Sequence, residues 1–120
     1  MRFVLLSEDR VIAEDAAAII RDVEPTSEVV ICADLAKALD HARDPVPPVA
    51  VVMVEPRRAL DGHPLTLLAL ARGFRVLVMS EQDAALPAHV SEHVRSAPMP
   101  FTSESFGLLI SRLVRDRSQG

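Results

Sequence analysis

Carboxylate and hydroxyl side chains follow several short apolar segments of this 120-residue sequence. Glu8 and Asp9 come just after the first segment. Glu55 directly follows the third segment, and Ser80 directly follows the fourth. Carboxylates that are brought together repel one another unless they share a metal ion, an arginine or a proton. If the segments are neighbouring strands, Glu8, Asp9 and Glu55 converge near one edge and must share a metal ion such as Mg²⁺, an arginine or a proton.

The apolar segments have the pattern of buried strands. They span residues 3–6, 28–32, 49–54, 74–79 and, more weakly, 94–97. The segments 49–54 and 76–79 are continuously apolar and rich in valine, without alternation of apolar and polar residues. Continuous β-branched segments are typical of strands that are buried on both faces of a parallel sheet.

Segments with helical periodicity separate these strands. The first has apolar residues at helical spacing, namely Ile12, Ala16, Ile19, Ile20 and Val23. Asp34 precedes a second helical segment and is a good N-cap residue. Pro64 opens a third helix, and Gly73 is placed to end it. A last helix is predicted to begin near Thr102, with Phe106, Leu109, Ile110 and Leu113 on its apolar face.

The remaining helical segment, residues 80–92, contains Pro87 in its middle, which should shorten or break the helix. Strands and helices therefore alternate five times along the chain. Such alternation requires right-handed crossovers and places helices on both faces of a parallel sheet. The sequence predicts the α/β class, with one doubly wound, five-stranded parallel sheet.

In this arrangement the sequence resembles the receiver domains of two-component response regulators over nearly its whole length. The positions that carry the resemblance are, in chain order, Glu8-Asp9, Glu55, Asp61-Gly62, Ser80 and Met99-Pro100-Phe101. In that family an acidic metal-binding pair follows strand 1, and the phosphoacceptor aspartate ends strand 3. A conserved serine or threonine follows strand 4, and a Lys-Pro-Phe sequence follows strand 5.

The resemblance implies several structural features of this chain. The sheet should be flavodoxin-like, with the receiver strand order 2-1-3-4-5. Residues 1–117 should form a single receiver-like domain, and residues 118–120 should be a frayed tail. In receivers the peptide bond before the proline that follows strand 5 is cis. The Met99–Pro100 bond is therefore expected to be cis, which an X–Pro bond tolerates at a cost of about 0.5–1 kcal/mol.

Two substitutions within the resemblance indicate that the phosphorylation chemistry is lost. Glu55 replaces the acceptor aspartate and carries its carboxylate about 1.5 Å further from the backbone. Displacements near 1 Å cost roughly a hundredfold in rate at a preorganised site. Met99 replaces the lysine that contacts the phosphoryl oxygens, and the only lysine, Lys37, lies in predicted helix 2. We expect Glu55, Ser80 and Met99 to form a vestigial phosphorylation site in a protein that is not an enzyme.

Three alternatives stay open at this point. Glu55 could imitate an acyl phosphate by extending negative charge toward Ser80, although Met99 cannot supply the usual cationic contact. A working receiver could instead use Glu55, or another acid, as its acceptor, with residual Mg²⁺-dependent phosphotransfer. A small nucleotide-binding α/β protein could form an anion pocket from Arg57, Arg58, Arg72 and Arg75, but the sequence has no glycine-rich phosphate loop. No cofactor is expected beyond weak binding of Mg²⁺.

Two further motifs have simpler explanations. The segment from His89 to His93 matches the H-x-x-E-H pattern of zinc peptidases. Pro87 compromises the helix that would carry the two imidazoles, so zinc hydrolysis is not expected. The single cysteine, Cys32, excludes an intramolecular disulfide and is expected to be a small buried apolar side chain.

Composition narrows the class of partner. The chain has 17 acidic and 13 basic residues, and it has no Trp or Tyr to stack on bases, so a nucleic-acid partner is not expected. No segment approaches the roughly 20 apolar residues that span a bilayer, and a cytoplasmic location is expected. The resemblance implies a histidine kinase or an output or adaptor domain as partner. It also allows a homodimer through the face formed by the helical segment 80–92, the strand segment 94–97 and the last helix.

Overall fold

The computed structural model describes residues 1–54, 64–80, 94–98 and 102–119. Its elements are β1 (Arg2–Leu6), α1 (Arg10–Val23), β2 (Glu28–Cys32), α2 (Leu35–Ala42), β3 (Ala50–Val54), α3 (Pro64–Arg72), β4 (Arg75–Ser80), β5 (Val94–Pro98) and α4 (Ser103–Gln119). The predicted broken helix lies outside the described residues except for its first residue. Glu55, Asp61-Gly62 and the Met99–Pro100 bond also lie outside them.

The described strands form one parallel sheet in the order β2-β1-β3-β4-β5. The predicted order 2-1-3-4 is confirmed for the first four strands, and β5 lies beside β4. The three central strands, β1, β3 and β4, each have a strand on both sides. Residues 50–53 of β3 are all buried, which explains why the sequence does not alternate there.

Successive residues of the central strands face two separate apolar cores. Phe3 and Leu5 of β1 belong to the core that α1 and α4 cover. Val4, between them, belongs to the core that α2 and α3 cover on the opposite face. All three side chains are fully buried, and burial of this kind contributes about 1.5–3 kcal/mol for each large aliphatic or aromatic side chain. The predicted layers of helix, sheet and helix are therefore present.

The predicted helix ends are confirmed where the structure describes them. The Asp34 carboxylate accepts the backbone N–H of Lys37 at 2.9 Å and caps α2. Gly73 follows α3 with a φ of 82°, a left-handed conformation that favours glycine, and its N–H donates to the Ala69 carbonyl. At the start of α4, the Thr102 hydroxyl accepts the backbone N–H of the third helical residue at 3.0 Å.

Helix α4 packs on α1 through the apolar face that the sequence predicts. Phe106, Ile110 and Leu113 are buried, and Leu109 is half-buried. Gly107 of α4 lies at this contact. A Cβ atom added there would lie 3.2 Å from a methyl carbon of a valine in the last turn of α1.

Two arginines hold the loop between α2 and β3 against the amino end of the sheet. Arg2 donates to the Val46 carbonyl at 2.7 Å and to the His41 carbonyl at 3.3 Å. Arg72, the last residue of α3, donates to the Ala42 carbonyl at 2.6 Å. These bonds join residues far apart in the sequence. None of the described helices is both long and apolar enough to cross a membrane.

Candidate functional site

The strands end together at the carboxyl edge of the sheet. Leu6, the last residue of β1, is in register with Met53 of β3, one residue before that strand ends. The last residue of β3, Val54, is in register with Met79. Ser80, which ends β4, is in register with Pro98 of β5. In open α/β sheets ligands bind outside this edge, so the sheet register places the candidate site there.

The turn between β1 and α1 contains the acidic residues predicted as metal ligands. Ser7 is the first residue after β1, and it is 5% exposed. Its hydroxyl accepts the Asp9 N–H at 3.1 Å and donates to the Asp9 carbonyl at 3.0 Å. Glu8, between them, is exposed. The turn therefore presents Glu8 to solvent and keeps the serine hydroxyl bonded to the backbone.

The Asp9 carboxylate caps helix α1. Its Oδ1 accepts the backbone N–H groups of Val11 and Ile12, at 3.0 and 3.2 Å. A carboxylate at this position satisfies free N–H groups and interacts favourably with the helix dipole. Asp9 is a predicted metal ligand, and one of its two carboxylate oxygens is therefore already bonded to the helix. Its Oδ2 makes no bond to the amino-terminal end of α1.

The predicted set of metal ligands is only partly described. Glu8 and Asp9 are neighbours in the same turn, whereas Glu55 lies outside the described residues. Within the described ranges, no three His, Cys, Asp or Glu side chains are grouped to hold a metal ion. The donors present are hard carboxylate oxygens, which fit Mg²⁺ in chemistry, but Asp9 offers one uncommitted oxygen instead of two.

Of the three predicted phosphorylation-site residues, the structure describes one. Ser80 ends β4 at the carboxyl edge, as the sequence predicts, and its backbone is paired with β5. Glu55 and Met99 each follow the last described residue of a strand, β3 and β5 respectively. Both lie outside the described residues, so the vestigial site stays a prediction. The H-x-x-E-H segment also lies outside them.

Cys32 is buried at the end of β2, as predicted, with 2% of its surface exposed. Its carbonyl accepts the backbone N–H of Ser7 at 3.0 Å, which links β2 to the acidic turn. Burial raises the pKa of the Cys32 thiol, the nearby Asp34 carboxylate raises it further, and Lys37 lowers it. The thiol is thus held in its neutral form, which does not favour a nucleophilic role.

The anion pocket that the sequence allowed would be formed by Arg57, Arg58, Arg72 and Arg75. In the part of the chain that the structure describes, Arg72 and Arg75 do not form such a pocket at the candidate site. The Arg72 guanidinium is bonded to backbone carbonyls of the loop after α2, at the amino end of the sheet. Arg75 begins β4 at that same end, and Arg57 and Arg58 lie outside the described residues. Arg72 and Arg75 are therefore at the sheet edge opposite the candidate site.

One residue of the candidate site was not singled out from the sequence. Ser7 is polar and buried at the junction of β1 and α1, where its hydroxyl fixes the backbone of Asp9. The signal for it was its position, because it is the first polar residue after the apolar segment. That signal alone does not separate a turn-forming serine from a ligand-binding one.

The fold matches solved receiver domains, although no protein-family model and no curated protein matches the sequence. A response regulator receiver domain from Clostridium thermocellum has a TM-score of 0.76 at 11% identity, over 98% of this chain and 97% of that chain. The chemotaxis protein CheY4 of Vibrio cholerae has a TM-score of 0.72 at 13% identity, over 93% of this chain and 97% of that chain.

A third structure, the receiver domain from the hybrid histidine kinase CckA, has a TM-score of 0.72 at 17% identity. That match covers 95% of this chain and 99% of that chain. The coverage shows that the likeness extends over the whole domain in each case. At these identities it establishes a receiver-like α/β fold for this chain.

Proposed function

We propose that this chain is an atypical receiver domain of two-component signalling, which acts through protein–protein interaction independently of phosphorylation. The observation that carries the proposal is the strand register. It brings the ends of β1, β3, β4 and β5 to one edge, and the residues that follow these ends in the sequence occupy the positions that the resemblance assigns to a receiver's phosphorylation site. At two of these positions the side chain is wrong for phosphotransfer.

Phosphotransfer to a receiver depends on positioning and on charge neutralisation. Glu55 in place of aspartate shifts the acceptor oxygen, and Met99 in place of lysine removes a cation. Neither an aspartate nor a lysine adjoins these positions in the sequence to compensate. The Asp9 carboxylate caps α1 through Oδ1 and leaves Oδ2 as the oxygen that it can offer to Mg²⁺, so capping is not counted among these defects. We therefore propose no enzymatic activity.

The same fold supports a role in binding. A domain that needs no phosphoryl group keeps one surface at all times, and its regulation then comes from its own abundance or from its partner. A histidine kinase or an output or adaptor domain is the class of partner we propose. One solved structure of similar fold is the N-terminal domain of a response regulator/sensory box/GGDEF 3-domain protein.

The test is the intact mass of the protein after incubation with acetyl phosphate and Mg²⁺. The wild-type chain and the Glu55→Ala variant are both expected to keep their original mass. A stable gain of one phosphoryl group by wild type, lost in Glu55→Ala, would show a working receiver and overturn the proposal. The double variant Glu55→Asp/Met99→Lys is the matched positive control, since it restores both groups.

A nucleotide-binding function is tested separately by thermal shift with a panel of nucleotides, cyclic dinucleotides and flavins. A saturable rise in melting temperature would favour the small nucleotide-binding α/β protein instead. The proposal predicts no shift, because the described arginines Arg72 and Arg75 lie at the sheet edge opposite the candidate site.

A further inference from the structure

Strand β2 is the last strand on one side of the described sheet, and it pairs there with β1 alone. The Glu28 N–H donates to the carbonyl of Met1, the residue before β1, at 2.8 Å. The Cys32 carbonyl accepts the N–H of Ser7, the residue after β1, at 3.0 Å. Backbone groups alternate in direction along a strand, so the intervening Val29 and Ile31 point their N–H and C=O groups away from β1. This edge can accept another strand.

Nothing within β2 hinders such pairing. Sheet edges are usually blunted by lysine, proline, an inward charge or a bulge. Here Val29, Val30 and Ile31 are aliphatic, β-branched and half-buried, and the only charged residue, Glu28, is at the end of the strand. The strand is regular over all five residues, each in register with β1.

Helix α1 flanks this edge on one face of the sheet. It packs mainly on β2 and on α4, and its Ile19 and Val23 side chains face α4. The opposite side of the helix therefore overhangs the edge strand. Helical spacing places three charged residues there, namely Arg10, Glu14 and Arg21, and Glu24, the C-cap residue of α1, continues the alternation of sign.

These charges are self-complementary about a point near Ala17. When a second α1 lies antiparallel to the first, Arg10 of one copy is opposite Glu24 of the other, and Glu14 is opposite Arg21. Each contact occurs twice by symmetry, which gives four attractive pairs and no repulsive one. Arg10, Glu14 and Arg21 are exposed, so they are free to make such contacts, although Arg10 and Glu14 also pair within the chain at 3.0 Å.

We propose that two copies of this chain associate through antiparallel pairing of their β2 strands, which joins the two sheets into one. A twofold axis between the two Val30 residues places Val29 of one copy opposite Ile31 of the other. Both residues direct their backbone groups outward, so each of the two pairs forms two N–H to carbonyl hydrogen bonds. The same axis, perpendicular to the sheet, keeps the two α1 helices on the same face and antiparallel.

Two independent features thus point to one axis. The midpoint of the strand pairing is Val30, and the midpoint of the charge pattern is near Ala17, in the middle of the helix that covers this strand. Like charges do not meet across the strands, because Glu28 lies opposite Cys32. Exposed ion pairs are individually weak, so the dimer is expected to weaken as salt rises. The inference concerns assembly and does not depend on the proposed function.

The experiment measures the dimer dissociation constant of the full chain by sedimentation equilibrium. Glu14→Arg and Arg21→Glu each place like charges opposite one another twice, and each should raise the dissociation constant about tenfold or more. The double variant Glu14→Arg/Arg21→Glu restores opposite charges and should recover most of the wild-type affinity. Asp15→Arg, on the same helix but turned away from the edge, is the matched control and should have little effect.

A second variant tests the strand contact itself. Val29→Pro removes an N–H that the single chain does not use in its sheet, so circular dichroism should remain that of a folded protein while dimerisation is lost. A wild-type chain that stays monomeric throughout the concentration range would overturn the proposal. So would a dimer that Val29→Pro and both single charge reversals leave unchanged, since the two copies would then meet through another face.

Discussion

The Ser7 hydroxyl is bonded twice to the backbone of Asp9, accepting its N–H at 3.1 Å and donating to its carbonyl at 3.0 Å. This pair of bonds fixes the conformation of the acidic turn with groups from the turn itself. The Asp9 side chain then lies at the amino-terminal end of α1, where it accepts two further N–H groups. In this chain the turn is built to start a helix.

Removing the Asp9 carboxylate should therefore lower the free energy of unfolding. Its effect on the binding of Mg²⁺ should be small. Asp9→Ala leaves the first N–H groups of α1 without their acceptor, and we expect the free energy of unfolding to fall by about 1 kcal/mol. Asp9→Asn keeps a capping oxygen but loses the charge, and should cost clearly less. Urea denaturation of the three proteins, with and without Mg²⁺, measures both effects. A large stabilisation of wild type by Mg²⁺ that Asp9→Asn abolishes would contradict the capping interpretation.

Thr66 is fully buried in α3, and its hydroxyl has no hydrogen-bond partner among the residues that the structure describes. A buried polar group without a partner costs about 1–3 kcal/mol, and an apolar group of the same shape avoids that cost. Thr66→Val should therefore leave the free energy of unfolding unchanged or raise it by about 1 kcal/mol. Thr66→Ala is the comparison, because it also removes a methyl group and should be less stable than Thr66→Val. Destabilisation by Thr66→Val in urea denaturation would mean that the hydroxyl is bonded.

The raised pKa of the Cys32 thiol predicts how stability changes with pH. The unfolded thiol loses its proton near pH 8.5, whereas the folded one, buried and beside Asp34, keeps its proton to higher pH. The unfolded state then binds fewer protons, so this group's contribution to stability is fully present below about pH 8.5 and is lost as pH rises above it. Denaturation at pH 7 to 10 measures the slope. Cys32→Ala should show a shallower slope, and identical slopes would contradict the prediction.

Gly107 sits where α1 and α4 approach each other, and only a small side chain fits. An added Cβ would lie 3.2 Å from a Val23 methyl carbon and 3.9 Å from one of Ile19. Alanine gains about 1 kcal/mol in helix propensity, which should roughly offset this tight contact. Gly107→Leu should instead lower the free energy of unfolding by about 1–3 kcal/mol through overpacking. Equal stability of the alanine and leucine variants would show that the helices separate easily.

Much of the fold follows from local patterns in the sequence. The continuous apolar segment of β3, the Asp34 cap and the Gly73 helix end are each short-range signals with a single physical explanation. The parallel sheet follows from alternation of strands and helices, which leaves few other arrangements. These are the features that the structure confirms, because none of them depends on which distant residues meet.

Contacts between distant segments were not predictable in the same way. Arg2 bonds to the Val46 carbonyl, 44 residues away, and the sequence carries no pattern that announces this contact. The bonding of Ser7 likewise depends on the exact backbone path after β1. Glu55 and Met99, on which the functional prediction depends, lie outside the described residues, so their roles rest on sequence position and on the strand register.

The central claim is that the candidate site at the carboxyl edge of the sheet does not hold a phosphoryl group. It is tested most directly by amide NMR spectra recorded with Mg²⁺ and with Mg²⁺ plus beryllofluoride, a non-covalent phosphoryl mimic. The amides of Ser7, Glu8 and Asp9 report on this edge, and Glu55→Asp/Met99→Lys is the positive control. We predict that the wild-type amides do not respond to beryllofluoride while those of the double variant shift. Saturable shifts of the wild-type turn that Glu55→Ala abolishes would contradict the account.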